Sequence, residues 1–242
     1  MDTVDAKFYL AYSSIQLNNR FMKRDEALQQ TRREIYESLS ELCAAFASPA
    51  RLKVIQILAQ APRSVDEISR HIGESIANTS QHLQRLSKSG VVVCERKGVS
   101  RVYRIASPRV VSLWEEFQDL GHELFTELNQ KEDQLTDPSL RAPIAANEVL
   151  RLVLKRNAIL LDVRDPNEVR ANPVAGAKAH PPGTKFDKAA VQELGLNKYL
   201  PIYVFCRGRY CSLATAAVRE LRGLGFEAYR LRESPFRLRS LS

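Results

Sequence analysis

Two cysteines five residues apart, Cys206 and Cys211, bracket the run RGRY. A cysteine reacts as its thiolate, which nearby arginines or a helix amino terminus favour. Both influences are present: Arg207 and Arg209 flank Gly208, and a helical pattern begins after Ser212 with LATAAV. The apolar run IYVF just before the pair reads as a strand. A thiolate at a strand's end, in a loop whose backbone N–H groups can cradle an anion, suits attack on a sulfane-sulfur donor and carriage of a persulfide on Cys206. Cys211 either resolves that persulfide into a disulfide or packs inward as a small apolar residue, and both readings stay open.

The elements that must position this loop belong to a chain of 242 residues, enough for two ordinary domains. No apolar run approaches the roughly 18 residues of a membrane span. The amino terminus, MDTVD, has neither the positive flank nor the apolar core of a signal peptide. Four cysteines are too few and too scattered for a disulfide framework. A cytoplasmic protein with reduced thiols and no membrane partner is therefore expected. The net charge of +8 is unevenly spread. Residues 51–109 carry 11 Lys/Arg against 4 Asp/Glu, whereas residues 110–140 carry 1 against 8. A basic module of this kind suits a polyanion, although a charge run can also be no more than a solvated face.

Periodicity divides the chain into a mobile amino-terminal arm or loosely held helix over 1–26, a helical and basic module over 27–130, a linker over 131–146 and a second domain over 147–242. Within the first module, Ile35, Leu39, Leu42 and Phe46 recur at helical spacing. SP at 48–49 opens a further helix, SVDE at 64–67 is a capping box closed by Gly73, and Ser75 caps another helix that ends at Gly90. After Gly90 come two β-rich runs joined by RKGVS, which read as a hairpin. SP at 107–108 then starts a long helix with the stripe Val111, Trp114, Phe117, Leu120, Leu124 and Leu128. In the second domain, short apolar strands alternate with helices, which means an α/β fold with a mostly parallel sheet.

Three helices followed by a hairpin with a basic tip are the plan of a winged helix-turn-helix, whose second motif helix enters the major groove. Here that helix is SIANTSQHLQRL, from Ser75. Ile76, Thr79, Leu83 and Leu86 share an inward face, so Ala77, Asn78, Ser80, Gln81 and Arg85 point outward. Asn and Gln match adenine edges and Ala matches a thymine methyl. Arg96, Lys97 and Arg101 on the wing would hold phosphates without reading sequence. The alternative is a small helical domain whose hairpin binds protein.

The stretch ASPARLKVIQILAQAPRSVDEISRHIGESIANTSQHLQRLSKSGVV, within residues 40–106, resembles the ArsR family of winged-helix repressors. The resemblance implies a homodimer on double-stranded DNA, with Val111, Trp114, Phe117, Leu120 and Leu124 as its dimer surface. The helix over 65–72, which carries metal-binding cysteines in many such repressors, has none here. Asp119 and His122 lie three apart on the long helix without a second histidine, and read as surface groups. Cys43 and Cys94 read as buried thiols, and His71 and His82 as structural or phosphate-facing. Neither a metal nor a cofactor is expected.

Residues 147–231, with LLDVRDPNEV, AGA and YVFCRGRYCSLATAAVRELRGLGFEAYRL, resemble the rhodanese domain. That likeness implies a persulfide-carrying role for Cys206 and a supporting role for Asp162 and Arg164 of the DVR motif. The sequence departs from the pattern in four places, one being that Gly208 comes two residues after Cys206 rather than three. Cys211 stands where active rhodaneses commonly end the loop with arginine, the histidine and proline of the usual GHIPGA stretch are missing, and the final segment RLRESPFRLRSLS lacks the expected Gly-Gly and tryptophan. These changes predict a loop open to solvent and weak turnover with thiosulfate or polysulfide. The combined expectation is a DNA-binding repressor whose second domain senses or carries reactive sulfur. The alternative is a sulfurtransferase whose winged helix only dimerises or tethers it.

Overall fold

The computed structural model describes the backbone of residues 3–98 and 100–241, and the side chains from residue 24 onward except those of Lys97 and Ser100. Helix α1 (Thr3–Phe46) is continuous, so the stretch expected as an arm and the helix expected after it form one element, about 65 Å long at 1.5 Å per residue. Among its described side chains, Ala45 and Phe46 at its end are buried, while Ile35, Leu39 and Leu42 of the apolar stripe remain exposed.

The first unit continues with α2 (Pro49–Leu58), β1 (Arg63–Ser64), α3 (Val65–Ile72), α4 (Ile76–Lys88), β2 (Val92–Lys97), β3 (Ser100–Ile105) and α5 (Pro108–Leu124). Local chemistry sets its boundaries. Ser64 and Glu67 form the expected capping box, and Gly73 ends α3 in the left-handed region at φ 73°, where a side chain would be strained. Ser75 caps α4 by accepting from the Asn78 N–H. Val54, Ile55, Ile68, Leu83 and Leu86 are fully buried in one core with Phe46 and Trp114. Ile76 departs from the expectation: it is 56% exposed although it shares a face with Leu83, and it lies outside the buried core cluster. The hairpin pairs Val92 with Ile105 through to Lys97 with Ser100, and β1 adds to β3 as a third strand.

The helix after Ser107 is shorter than its stripe predicts. It stops at Phe125, whose extended backbone (φ −122°, ψ 98°) lets α6 (Thr126–Thr136) leave in a new direction. This places α6 and a 3₁₀ turn (Pro138–Leu140) across the segment expected as a linker. That segment is packed, with Glu132, Thr136 and Leu140 buried.

The second unit comprises α7 (Ala146–Leu154), β4 (Ile159–Asp162), α8 (Pro166–Ala171), β5 (Ala177–Ala179), α9 (Lys188–Glu193), β6 (Ile202–Phe205), α10 (Leu213–Gly223), β7 (Ala228–Arg230) and α11 (Pro235–Leu241). Its four strands pair in parallel in the order β5-β4-β6-β7. All four residues of β4 and of β6 are buried, as expected for strands covered by helices on both faces. The chain moves to opposite sides of β4 to build the sheet, so a topological switch point falls between β4 and β6. Crevices at the carboxyl ends of such strands are where open α/β sheets bind ligands. Cys206 follows β6 there, and Asp162 and Arg164 end β4 beside it. Among the described residues, no helix is long and apolar enough to cross a membrane.

Candidate functional site

The first site is a face for nucleic acid. On α4, Ala77, Asn78, Gln81 and Arg85 are exposed and Ser80 is half-buried, because Thr79, Leu83 and Leu86 take the inward stripe. The amino-terminal turn is held by its cap and by Asn78 Nδ2 donating to Glu74 at 3.2 Å. On the wing, Arg96 sits directly opposite Arg101 in the ladder, and both are exposed. Like charges in that position repel, and a phosphate between them removes the repulsion. The Lys97 side chain lies outside the described residues.

The second site is the cysteine loop. Cys206 is 1% exposed, and its thiol donates to the Cys211 carbonyl at 3.4 Å. Gly208 has φ 107° and lies so close to Ser234 that an added Cβ would sit 3.4 Å from that side chain. Arg230, fully buried, donates from Nη2 to the carbonyls of Gly208 and Arg209 at 3.2 and 2.9 Å, which fixes the loop from below. The two sulfurs influence each other and differ in character. Burial, reinforced by the Cys211 sulfur, pushes the Cys206 thiol well above its ordinary range. The Cys206 S–H donor holds Cys211 down at about 6 against its own burial, with help from the Arg207 and Leu213 N–H groups and the Arg207 charge. The surroundings thus favour the thiolate at Cys211 and the neutral thiol at Cys206.

The loop is not open to solvent as expected, because the first unit closes over it. The Gln56 Nε2 of α2 donates to the Arg207 carbonyl at 2.8 Å, and Gln56 Oε1 accepts from the Trp114 indole at 2.6 Å. Arg207 Nε donates to both oxygens of Glu168 at 2.9 Å, and Glu168, itself 0% exposed, also pairs with Arg63 of β1. Arg209 pairs with Asp119 of α5, and Arg237 reaches the other Asp119 oxygen at 2.7 Å. Glu132, also buried, meets Arg232 at 2.6 Å and Arg209 at 3.6 Å. Burial would raise the Glu132 carboxyl, but its bonds to Arg232 and the surrounding arginine charges outweigh that and hold it below the usual range.

Asp162 and Arg164 form a buried pair at 2.6 Å. Arg164 also donates to the Asn172 carbonyl and reaches Gln60 of the first unit at 3.5 Å. Its guanidinium lies 5.8 Å from the Phe205 ring, one residue before Cys206. The pair braces the end of β6 and the junction between the units.

Several expectations need correction. Asp119 and His122 are not surface groups. Asp119 is in the ion pairs above, and His122 is buried, with Nε2 3.1 Å from the Tyr210 hydroxyl and Nδ1 2.9 Å from Asn129. Cys43 and Cys94 are exposed rather than buried, because none of the described residues covers their faces of α1 and β2. Val111 and Trp114 are buried within the chain at 7% and 9% exposure, so a partner cannot cover them, whereas Phe117, Leu120 and Leu124 are 48–65% exposed. Sequence reasoning missed Gln56, Glu132, Glu168 and Arg230. Each reads in the sequence as an ordinary helix or strand polar residue, and only the docked units give it a role.

A capped second helix that turns Asn and Gln outward beside a basic hairpin is the plan of a winged-helix DNA-binding protein. The family model of bacterial regulatory proteins of the arsR family matches residues 48–93. The HTH-type transcriptional regulator Rv0324 of Mycobacterium tuberculosis is 31% identical over 205 residues, covering 81% of this chain and 85% of that protein. The HTH-type transcriptional repressor SmtB of the same species is 37% identical over 76 residues, covering 31% of this chain and 55% of that protein. Among solved structures, the homodimeric winged helix-turn-helix DNA-binding domain of Mb0332 from Mycobacterium bovis is 29% identical at a TM-score of 0.37, covering 38% of this chain and 85% of that one. The chain belongs to the ArsR family of helix-turn-helix transcriptional regulators. Its likeness to Rv0324 is too long to be confined to the winged helix.

Proposed function

We propose that this regulator is a homodimeric repressor whose second domain is rhodanese-like and reports reactive sulfur, received at the Cys206–Cys211 pair, to the DNA-binding unit. The observation that carries the reading is the Gln56 bridge, which ties the Arg207 carbonyl of the cysteine loop to Trp114 in the winged-helix core. A sulfur added to either cysteine enlarges a packed loop, and closely packed interiors pass such changes on to their neighbours. Modification thereby biases a two-state element that both units share. Burial of Cys206 to 1% exposure favours a stoichiometric signal over rapid turnover.

The test is a gel-shift titration at fixed salt on DNA upstream of the protein's own coding sequence, with and without polysulfide. The untreated protein is expected to bind and the treated protein to change affinity, while Cys206→Ser binds without responding. In the same assay, Gln81→Ala should weaken operator binding by about tenfold or more, and Arg96→Ala should lower the salt slope by about one. Binding that ignores polysulfide would remove the sulfur signal, and no selective binding in any state would return the case to a sulfurtransferase.

Phe117 stacks on Phe46 with ring centroids 5.6 Å apart. Together with Leu120 and Leu124 and the exposed Ile35, Leu39 and Leu42, it supports a dimer face built from α1 and α5. Large apolar side chains left exposed in such a group mark an interaction site. Leu120→Asp should turn the dimer into a monomer by light scattering and abolish operator binding. A dimer of unchanged affinity would place the interface elsewhere.

A further inference from the structure

Between the two units lies a cavity of about 510 Å³ whose wall includes Cys211 but not Cys206. Ile57 and Ile72 of the first unit and Leu213 of the second make its apolar sides. Lys53 and His71, both exposed, and Arg207 bring nitrogen groups to it. Among the described residues no carboxylate lines it. Glu168 sits behind Arg207 but is shared with Arg63, so that cluster of two arginines and one carboxylate retains one positive charge. The cavity is of the size that holds small organic ligands.

We infer that this cavity is a binding site for a small organic anion carrying a sulfur–sulfur bond, such as a carboxylate-bearing disulfide, which it presents to Cys211. The inference rests on the cysteine loop being the reactive site proposed above, and it names the class of molecule that reaches it. The apolar walls take the organic body, Lys53 and Arg207 take the carboxylates, and the sulfur on the wall attacks. In the first step the Cys211 thiolate displaces one thiolate from the disulfide and forms a mixed disulfide with the other half. Cys206 then attacks the Cys211 sulfur and expels the second half of the ligand, which takes up the Cys206 proton and leaves through the cavity as a thiol. The cysteine pair is oxidised to one disulfide and the ligand is reduced to one thiolate and one thiol, so electrons and atoms balance. The buried thiol thus completes the reaction without meeting the ligand, which explains why it can lie behind the wall. An occupied cavity also touches α2 and α3 directly, since Lys53, Ile57 and Ile72 line it.

The experiment uses the full chain with three probes: glutathione disulfide, the cationic disulfide cystamine, and inorganic polysulfide. Formation of the Cys206–Cys211 disulfide is followed by peptide mass mapping. With glutathione disulfide the rate is expected to saturate with concentration, and Cys206→Ser at pH 9 should trap the mixed disulfide on Cys211. Lys53→Glu changes an exposed residue outside the cysteine loop. It should lower the rate ratio of glutathione disulfide to cystamine by about tenfold, as a two-unit change of charge near the ligand requires. A rate linear in concentration with an unchanged ratio would overturn the inference, as would labelling of the exposed Cys43 and Cys94 in preference to Cys211. If polysulfide modifies the pair and glutathione disulfide does not, this inference fails and the proposed sulfur signal stands. If neither modifies it, both fail.

Discussion

Glu168→Gln is expected to destabilise the protein by about 3–5 kcal/mol, the cost of removing one partner from a buried ion pair. The carboxylate is 0% exposed and joins Arg63, whose side chain is 5% exposed, to Arg207, whose side chain is 21% exposed. A glutamine has nearly the same shape but no charge. Two guanidinium groups would then face each other across a dry junction with only an amide oxygen between them. The penalty comes chiefly from these stranded cations, because an intact buried pair by itself adds little net stability. Since Arg63 belongs to β1 and Arg207 to the cysteine loop, the substitution also loosens the seam between the units. The checks are urea denaturation and limited proteolysis, with Glu148→Gln on an exposed helical position as the control. A loss below about 1 kcal/mol together with unchanged proteolysis would mean that the units do not dock through this residue in solution, since exposed ion pairs are worth no more than that.

The second large effect concerns the cysteine pair. Iodoacetamide alkylation of Cys211 should follow a titration near pH 6, where the Cys206 S–H donor and the Arg207 and Leu213 N–H groups hold it. Because this value is depressed, the thiolate predominates above pH 6 and reactivity is lost as pH falls through it. Cys206→Ala removes the largest stabilising influence and should move the midpoint up towards the free value of about 8.5. At pH 7 that shift would cut the thiolate fraction from about nine-tenths to about 3%, a change of roughly 30-fold. A midpoint that stays near 6 in Cys206→Ala would show that the Arg207 charge and the backbone amides suffice without the neighbouring thiol. A wild-type midpoint above 8 would remove the thiolate from Cys211 altogether.

These predictions invert the roles that spacing alone assigns. Read linearly, Cys206 is the nucleophile, because it directly follows the strand and is flanked by Arg207. Folding buries Cys206 to 1% exposure in the apolar core of its own unit, whereas Cys211 lines the cavity between the units. Which of two sulfurs becomes anionic depends on desolvation and on which amides converge, and neither is a property of sequence distance. The same reason accounts for Asp119 and His122. Three residues apart on a helix, they look like solvent-facing groups until Arg209 and Tyr210 arrive from ninety residues downstream.

What the sequence determined by itself is the local grammar. The SVDE capping box, the glycine that ends α3, the stripe of Thr79, Leu83 and Leu86 that turns Asn78 and Gln81 outward, and the apolar runs that became β4 and β6 are all written in neighbouring residues. Their energetics act within a turn or a strand, so spacing is enough to reveal them. Only the tertiary structure decided that the two units meet across the cysteine loop and that the segment before the second unit is packed rather than free. It also decided that Glu168, Gln56 and Arg230 hold the loop, and that Val111 and Trp114 belong to the core while Phe117, Leu120 and Leu124 do not. Each of these depends on partners 21 to 151 residues away or on which face of a helix the rest of the chain happens to cover. A buried charge cannot be recognised before the surface that buries it is known.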